Sequence, residues 1–133
     1  MNPFFSISML AVALFALACP ALAQGNDNLA YRLATVAARA DLAADDPLVV
    51  KAGDLLARAA TAFNQPREQV ANLAMRGLRL LHDRMATPLD ILEATLAAQP
   101  GGTFSDALSR YVSLRNRGKS HSETLVAMAA KSL

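Results

Sequence analysis

Cysteine is almost missing from this chain: the single one, Cys19, lies in an apolar N-terminal run. The residues beyond it therefore carry no thiol for a disulfide, a zinc site or a nucleophile, and stability there must come from packing alone. Tryptophan is absent altogether, and beyond residue 23 only Tyr31, Phe63, Phe104 and Tyr111 are aromatic. Stacking platforms for sugars or bases need exposed aromatic faces, and four rings barely furnish a core. Histidine is scarce as well, with His82 and His121 the only two. The net charge of +2 is too small to point to nucleic acid.

The first residues read as an export signal. Phe4 to Ala18 is uncharged and almost wholly apolar, shorter than the ~20 residues a spanning helix needs. Pro20 breaks the run, and Ala21-Leu22-Ala23 offers a small-x-small site before Gln24-Gly25. The layout predicts cleavage after Ala23, a signal over residues 1–23, and one domain over residues 24–133 with no transmembrane segment. Met1-Asn2-Pro3 departs from the usual pattern in having no Lys or Arg. Ala16-Leu17-Ala18-Cys19 loosely resembles a lipoprotein box, but Ala16 stands where that box has Leu, and Pro20 follows directly. The expected location is the periplasm or the medium.

What is abundant is alanine, with breakers between apolar stretches of helical period; nothing alternates over a strand's length. Leu29, Leu33, Val36, Ala37 and Ala40 predict a first helix over residues 28–43. Asp46-Pro47 opens a second, with a stripe of Leu48, Ala52, Leu55, Leu56, Ala59 and Phe63. Pro66 opens a third, expected to be the most apolar and central one. Val70, Leu73, Ala74, Gly77, Leu78, Leu81 and Met85 face inward in that reading. Thr87-Pro88-Leu89-Asp90 caps a fourth, running to about Ala98. Thr103 to Asp106 reopens helix after the loop Gln99 to Gly102. A last helix follows Ser120, with Leu125, Val126, Met128 and Ala129 as its apolar residues. Prolines 47, 66 and 88 punctuate helices, since the apolar positions do not superpose when aligned on them. The fold class expected is all-α, a compact bundle of five to six short helices.

Gly118-Lys119-Ser120 imitates the end of a phosphate loop, but position 113 is Ser where that motif has Gly, and the preceding segment is helical. A corner explains more. Gly118 suits the residue past a helix end, and Ser120-His121-Ser122-Glu123 has the spacing of a capping box. From Pro100 onward five basic residues face two acids, so residues 24–99 carry a net −1. The basic corner makes Arg110, Arg115, Arg117, Lys119 and Ser120 candidates for docking an anion or acidic partner: another protein, an acidic surface or a phosphate-bearing ligand.

Weaker candidates are His82, His121, Asp90 and Glu93. His82 has no carboxylate at helical spacing, and Asp83 beside it is expected to pair with Arg79. His121 has no such acid either. Asp90 and Glu93 share a face, but in a first turn where acids simply favour the dipole. Neither a G-x-S-x-G nor a calcium-loop spacing occurs. No catalytic, cofactor or metal site is assigned. The expectation is an exported, non-catalytic interaction module of inhibitor, immunity or adaptor type. Two alternatives stand beside it. One is a small enzyme or carrier with a site between helices, where Arg76, Arg79 or Arg84 would take a carboxylate. The other is a binder of anionic surfaces through the basic C-terminal hairpin.

Overall fold

A computed structural model describes residues 28–98 and 102–130. The expected export signal with its expected cleavage site, Cys19, Lys131 and most of the loop after Ala98 lie outside the described residues. Six helices and no strand make up what is described. No helix there is long and apolar enough to cross a membrane.

Helix α1 covers residues 28–38 and buries Ala30, Leu33 and Ala34. It stops short of residue 43 because Arg39 takes a left-handed backbone, φ 57°. Such a conformation disfavours a side-chain-bearing residue unless the surroundings enforce it. Here the Arg39 guanidinium donates to the Arg84 carbonyl, and the Tyr31 phenol donates to the Leu42 carbonyl at 2.9 Å. These two bonds hold the turn.

Helix α2 (Pro47–Ala62) starts as expected, with Asp46 Oδ1 accepting from the Leu48 N–H at 2.9 Å and Pro47 in the first turn. Its buried stripe includes Val49, while Leu48 and Phe63 are only half-buried. In α3 (Arg67–Leu80), Pro66 is the cap residue rather than the first helical one. Leu81 turns extended, so the helix ends five residues before Met85, and Met85 is 71% exposed instead of inward. The link to the next helix is an Asx-type turn, in which Asp83 Oδ1 accepts from the Met85 N–H at 2.9 Å.

The central helix is α4 (Pro88–Ala97), not α3. It packs against α2, α3, α5 and α6, and buries Leu89, Ile91, Leu92, Ala94 and Thr95. A helix apolar all round has to be enclosed. The expectation that α3 would be the most apolar helix fails too, since α4 is the more apolar of the two. Thr87 and Asp90 close its capping box.

Helix α5 (Phe104–Asn116) begins with a second capping box, Thr103 with Asp106, and buries Phe104, Ala107, Leu108 and Tyr111. It lies parallel to α3. Its Phe104 ring meets Phe63, just before α3, edge-on at 5.4 Å. At the far end the Asn116 amide donates to the Leu80 carbonyl at 3.0 Å and accepts from the His82 N–H at 2.9 Å. Gly77 makes the approach close: a Cβ there would sit 2.4 Å from Leu108 Cδ1. The corner to α6 (His121–Ala130) is built as its residues suggested. Gly118 has φ 100°, and Ser120 and Glu123 exchange capping bonds of 3.1 and 2.9 Å. In α6, Thr124 and Met128 are buried, whereas Val126 is exposed.

Candidate functional site

The α5–α6 corner sets His121 in the first turn of α6, against α4. There the fold gathers groups that are far apart in sequence. His121 Nδ1 lies 2.8 Å from the Tyr111 hydroxyl, and Nε2 lies 3.8 Å from Asp90 Oδ1 and 3.6 Å from Glu93 Oε2. Glu93 in turn meets Lys51 Nζ of α2 at 3.1 Å. On the other side, Arg115 donates to the Tyr111 hydroxyl at 2.7 Å, to the Lys119 carbonyl at 3.1 Å, and to Asp83. One polar chain thus runs from the α3–α4 turn through α5 and α6 to α4 and α2.

Hydrogen-bond roles follow from counting donors. Arg115 only donates, so the Tyr111 oxygen accepts from it and its own hydrogen points to His121 Nδ1. The imidazole proton is assigned on that pattern to Nε2, facing the two carboxylates. At 3.6 and 3.8 Å these are electrostatic neighbours rather than hydrogen bonds. Nε2 is buried and has no hydrogen-bond partner. Burial pushes the Tyr111 phenol above its ordinary value, with Arg115 opposing the rise and Asp90 and Asp83 adding to it.

Two of the four weaker candidates, Asp90 and Glu93, therefore meet a third, His121. The fourth, His82, stays exposed and its side chain joins no ion pair. Asp83 pairs with Arg115 rather than Arg79, because α3 has ended before Asp83 and helical spacing no longer applies. Among the described residues no three His, Asp or Glu side chains are placed to hold a metal ion. What the cluster can do chemically is share a proton between phenol and imidazole, with the two carboxylates beside them as negative charges. Its Nε2 has no open surface on which to meet a substrate.

The basic corner divides in two. Arg115 is turned inward, with its side chain 7% exposed. Arg110 donates to the Ala127 carbonyl at 2.9 Å and Ser120 caps α6, so both are occupied. Arg117 and Lys119 are exposed and make no ion pair among the described residues. The Asn116 bridge brings the end of α3 beside them, so Arg79 and Arg84, also exposed and without ion pairs, belong to the same end of the bundle.

An open cleft of about 400 Å³ runs between α3 and α5. Leu73, Leu80, Leu108 and Val112 supply its apolar surface. Arg76 with Ser105, Ser109 and Ser113 supply polar groups along it. Leu80, at its basic end, is 57% exposed. Sequence spacing did not mark Tyr111 as a site residue, although Tyr111 and Arg115 stand four apart on one helix, a spacing that brings them together. Lys51, Asn116 and the cleft carry no local signal, since each depends on a partner over thirty residues away. Comparison with protein-family models, with curated proteins and with solved structures finds no match.

Proposed function

We propose that this chain is exported and acts as a non-catalytic protein-interaction module, docking its partner on the face built by α3 and α5. The observation that carries this reading is an open apolar cleft that is also lined by Arg76, which is exposed and in no ion pair among the described residues. Interfaces combine an apolar centre with a polar rim, and arginine is enriched in them. Arg76 lies in the cleft, and Arg79 and Arg117 stand at the C-terminal ends of α3 and α5. An inhibitor, immunity or adaptor role all fit this layout.

Photo-crosslinking in the native cell tests it. A crosslinking residue at Leu80 or Val112 is expected to give one discrete adduct, and the same residue at Val50, exposed on α2, none. Adducts of equal yield from all three positions would refute the assignment of the face. Fractionation of the cell checks the export.

A second reading rests on the His121 cluster. A histidine beside a tyrosine and two carboxylates is the equipment of a proton-transfer site. If a ligand opened the α4–α6 contact, the Nε2–H would be free to donate to it. Protection of α6 amides from hydrogen exchange by a small molecule would support that reading.

A further inference from the structure

The α3/α5 cleft is shaped and charged for one kind of occupant. It follows α3 from Leu73 to Leu80 and α5 from Ser105 to Ser113, which at 1.5 Å per residue is a trough roughly 10–12 Å long. Both walls are helices whose backbone groups are bonded within themselves. An extended peptide laid in the trough would find no free backbone partners, whereas strand addition needs an open sheet edge. A helix brings its own backbone bonds, and asks only for a row of apolar contacts at i, i+3, i+4 and i+7. Leu73, Leu80 and Val112 offer that row, with the buried Leu108 beneath them.

Charge gives the direction. At the N-terminal end of the trough Glu68 on α3 and Asp106 on α5 outnumber the single cation Arg67. At the C-terminal end stand Arg79, Arg117 and Lys119, none of them in an ion pair. The negative ends of the α3 and α5 dipoles account for cations at their termini. They do not account for Arg76, which lines the cleft about a turn before the end of α3, where the effect has faded.

We infer that the occupant is an acidic amphipathic helix of a partner protein, lying antiparallel to α3 and α5 with its acidic first turn against Arg76, Arg79 and Arg117. The inference rests on the interaction-module reading above. Acids cluster in first turns of helices, so the partner's acidic end and its positive dipole end meet the same site. Antiparallel dipoles add to the preference.

The test uses the full chain and three synthetic helices of about 15 residues, a length at which helices begin to hold in water. One has Glu and Asp in its first turn and a leucine row after it. The second moves the acids to its last turn, and the third replaces them with Lys. The first is expected to shift the backbone amides of Leu73, Arg76, Leu80, Leu108 and Val112 in a two-dimensional NMR titration. The second is expected to bind more weakly and the third not at all. Arg76→Glu with Arg117→Glu, two exposed positions, is expected to weaken the first helix roughly tenfold and admit the third. Equal binding of all three, shifts confined to other faces, or no shift would overturn the inference. Persistent crosslinking at Leu80 and Val112 with no peptide binding would leave the interaction-module reading standing and remove only the helix. Binding to phosphatidylglycerol vesicles with no peptide shift would assign the face to a lipid surface and overturn both.

Discussion

Replacing Tyr111 by Phe isolates the polar chain at the α5–α6 corner. The ring is wholly buried and its packing is retained, so the change removes one oxygen. That oxygen accepts from Arg115 at 2.7 Å and bonds His121 Nδ1 at 2.8 Å. A hydrogen bond to a charged group contributes about 1.5–3 kcal/mol and a neutral one about 1 kcal/mol, so the expected loss is roughly 2–4 kcal/mol. Arg115 keeps Asp83 and the Lys119 carbonyl, which favours the lower half of that range. Small domains are stable by only about 5–15 kcal/mol, and a midpoint falls by about 4–8 °C per kcal/mol. Tyr111→Phe should therefore melt roughly 10–25 °C below the parent in circular dichroism at neutral pH. Urea unfolding of Tyr111→Phe, His121→Ala and the double variant should give a coupling of about 1 kcal/mol. A Tyr111→Phe loss under about 0.5 kcal/mol, the size of an ordinary surface change, would refute the claim that this chain of bonds ties the helices together.

Other expectations follow from the same structure. Gly77→Ala gains up to about 1 kcal/mol of helix propensity but drives a methyl into Leu108, a crowding that costs about 1–3 kcal/mol; denaturation should show a net loss, smaller when Leu108 is also shortened. Ser120→Ala removes the cap of α6 and should cost about 1 kcal/mol, read by chemical denaturation. The Glu123 carboxyl is held below its ordinary value of 4.5, chiefly by the Ser120 backbone N–H and then its hydroxyl. Its support is thus present above pH 4.5 and lost as the pH falls through the lowered value, and a Glu123→Gln comparison over that range should show it. The Tyr111 phenol is raised above 10.0 by burial, so its contribution is intact below that pH and lost as pH climbs through the raised value. Urea midpoints of the parent should fall there more steeply than those of Tyr111→Phe.

Much of the fold is legible from short spacings. Asp46-Pro47, Thr87-Pro88 and Thr103 with Asp106 announce helix starts because each cap is satisfied within three residues. Gly118 and the Ser120–Glu123 box likewise need nothing beyond the corner they build. The same locality explains the errors. Reading α3 through to Met85 followed the apolar period past the place where Leu81 turns extended, and a turn held by Asp83 and Asn116 has no signature in that period. Choosing α3 as the centre took it for the most apolar helix, but its four charged residues leave it less apolar than the short α4, which is enclosed by α2, α3, α5 and α6.

The sequence by itself therefore determined an all-helical chain, its caps and its corner, since these are written in contacts three or four residues long. It also placed a cation excess near the C-terminal end. Only the tertiary structure decided which cations are spoken for. Arg115 turns inward to Asp83, thirty-two residues away in sequence, while Arg76 and Arg79 are left beside Arg117. It also decided that His121, with no acid at helical spacing from it, faces Asp90 and Glu93. Pairings of that kind depend on how helices cross, and helix crossing is settled by close packing, here by a glycine at position 77 that lets Leu108 in.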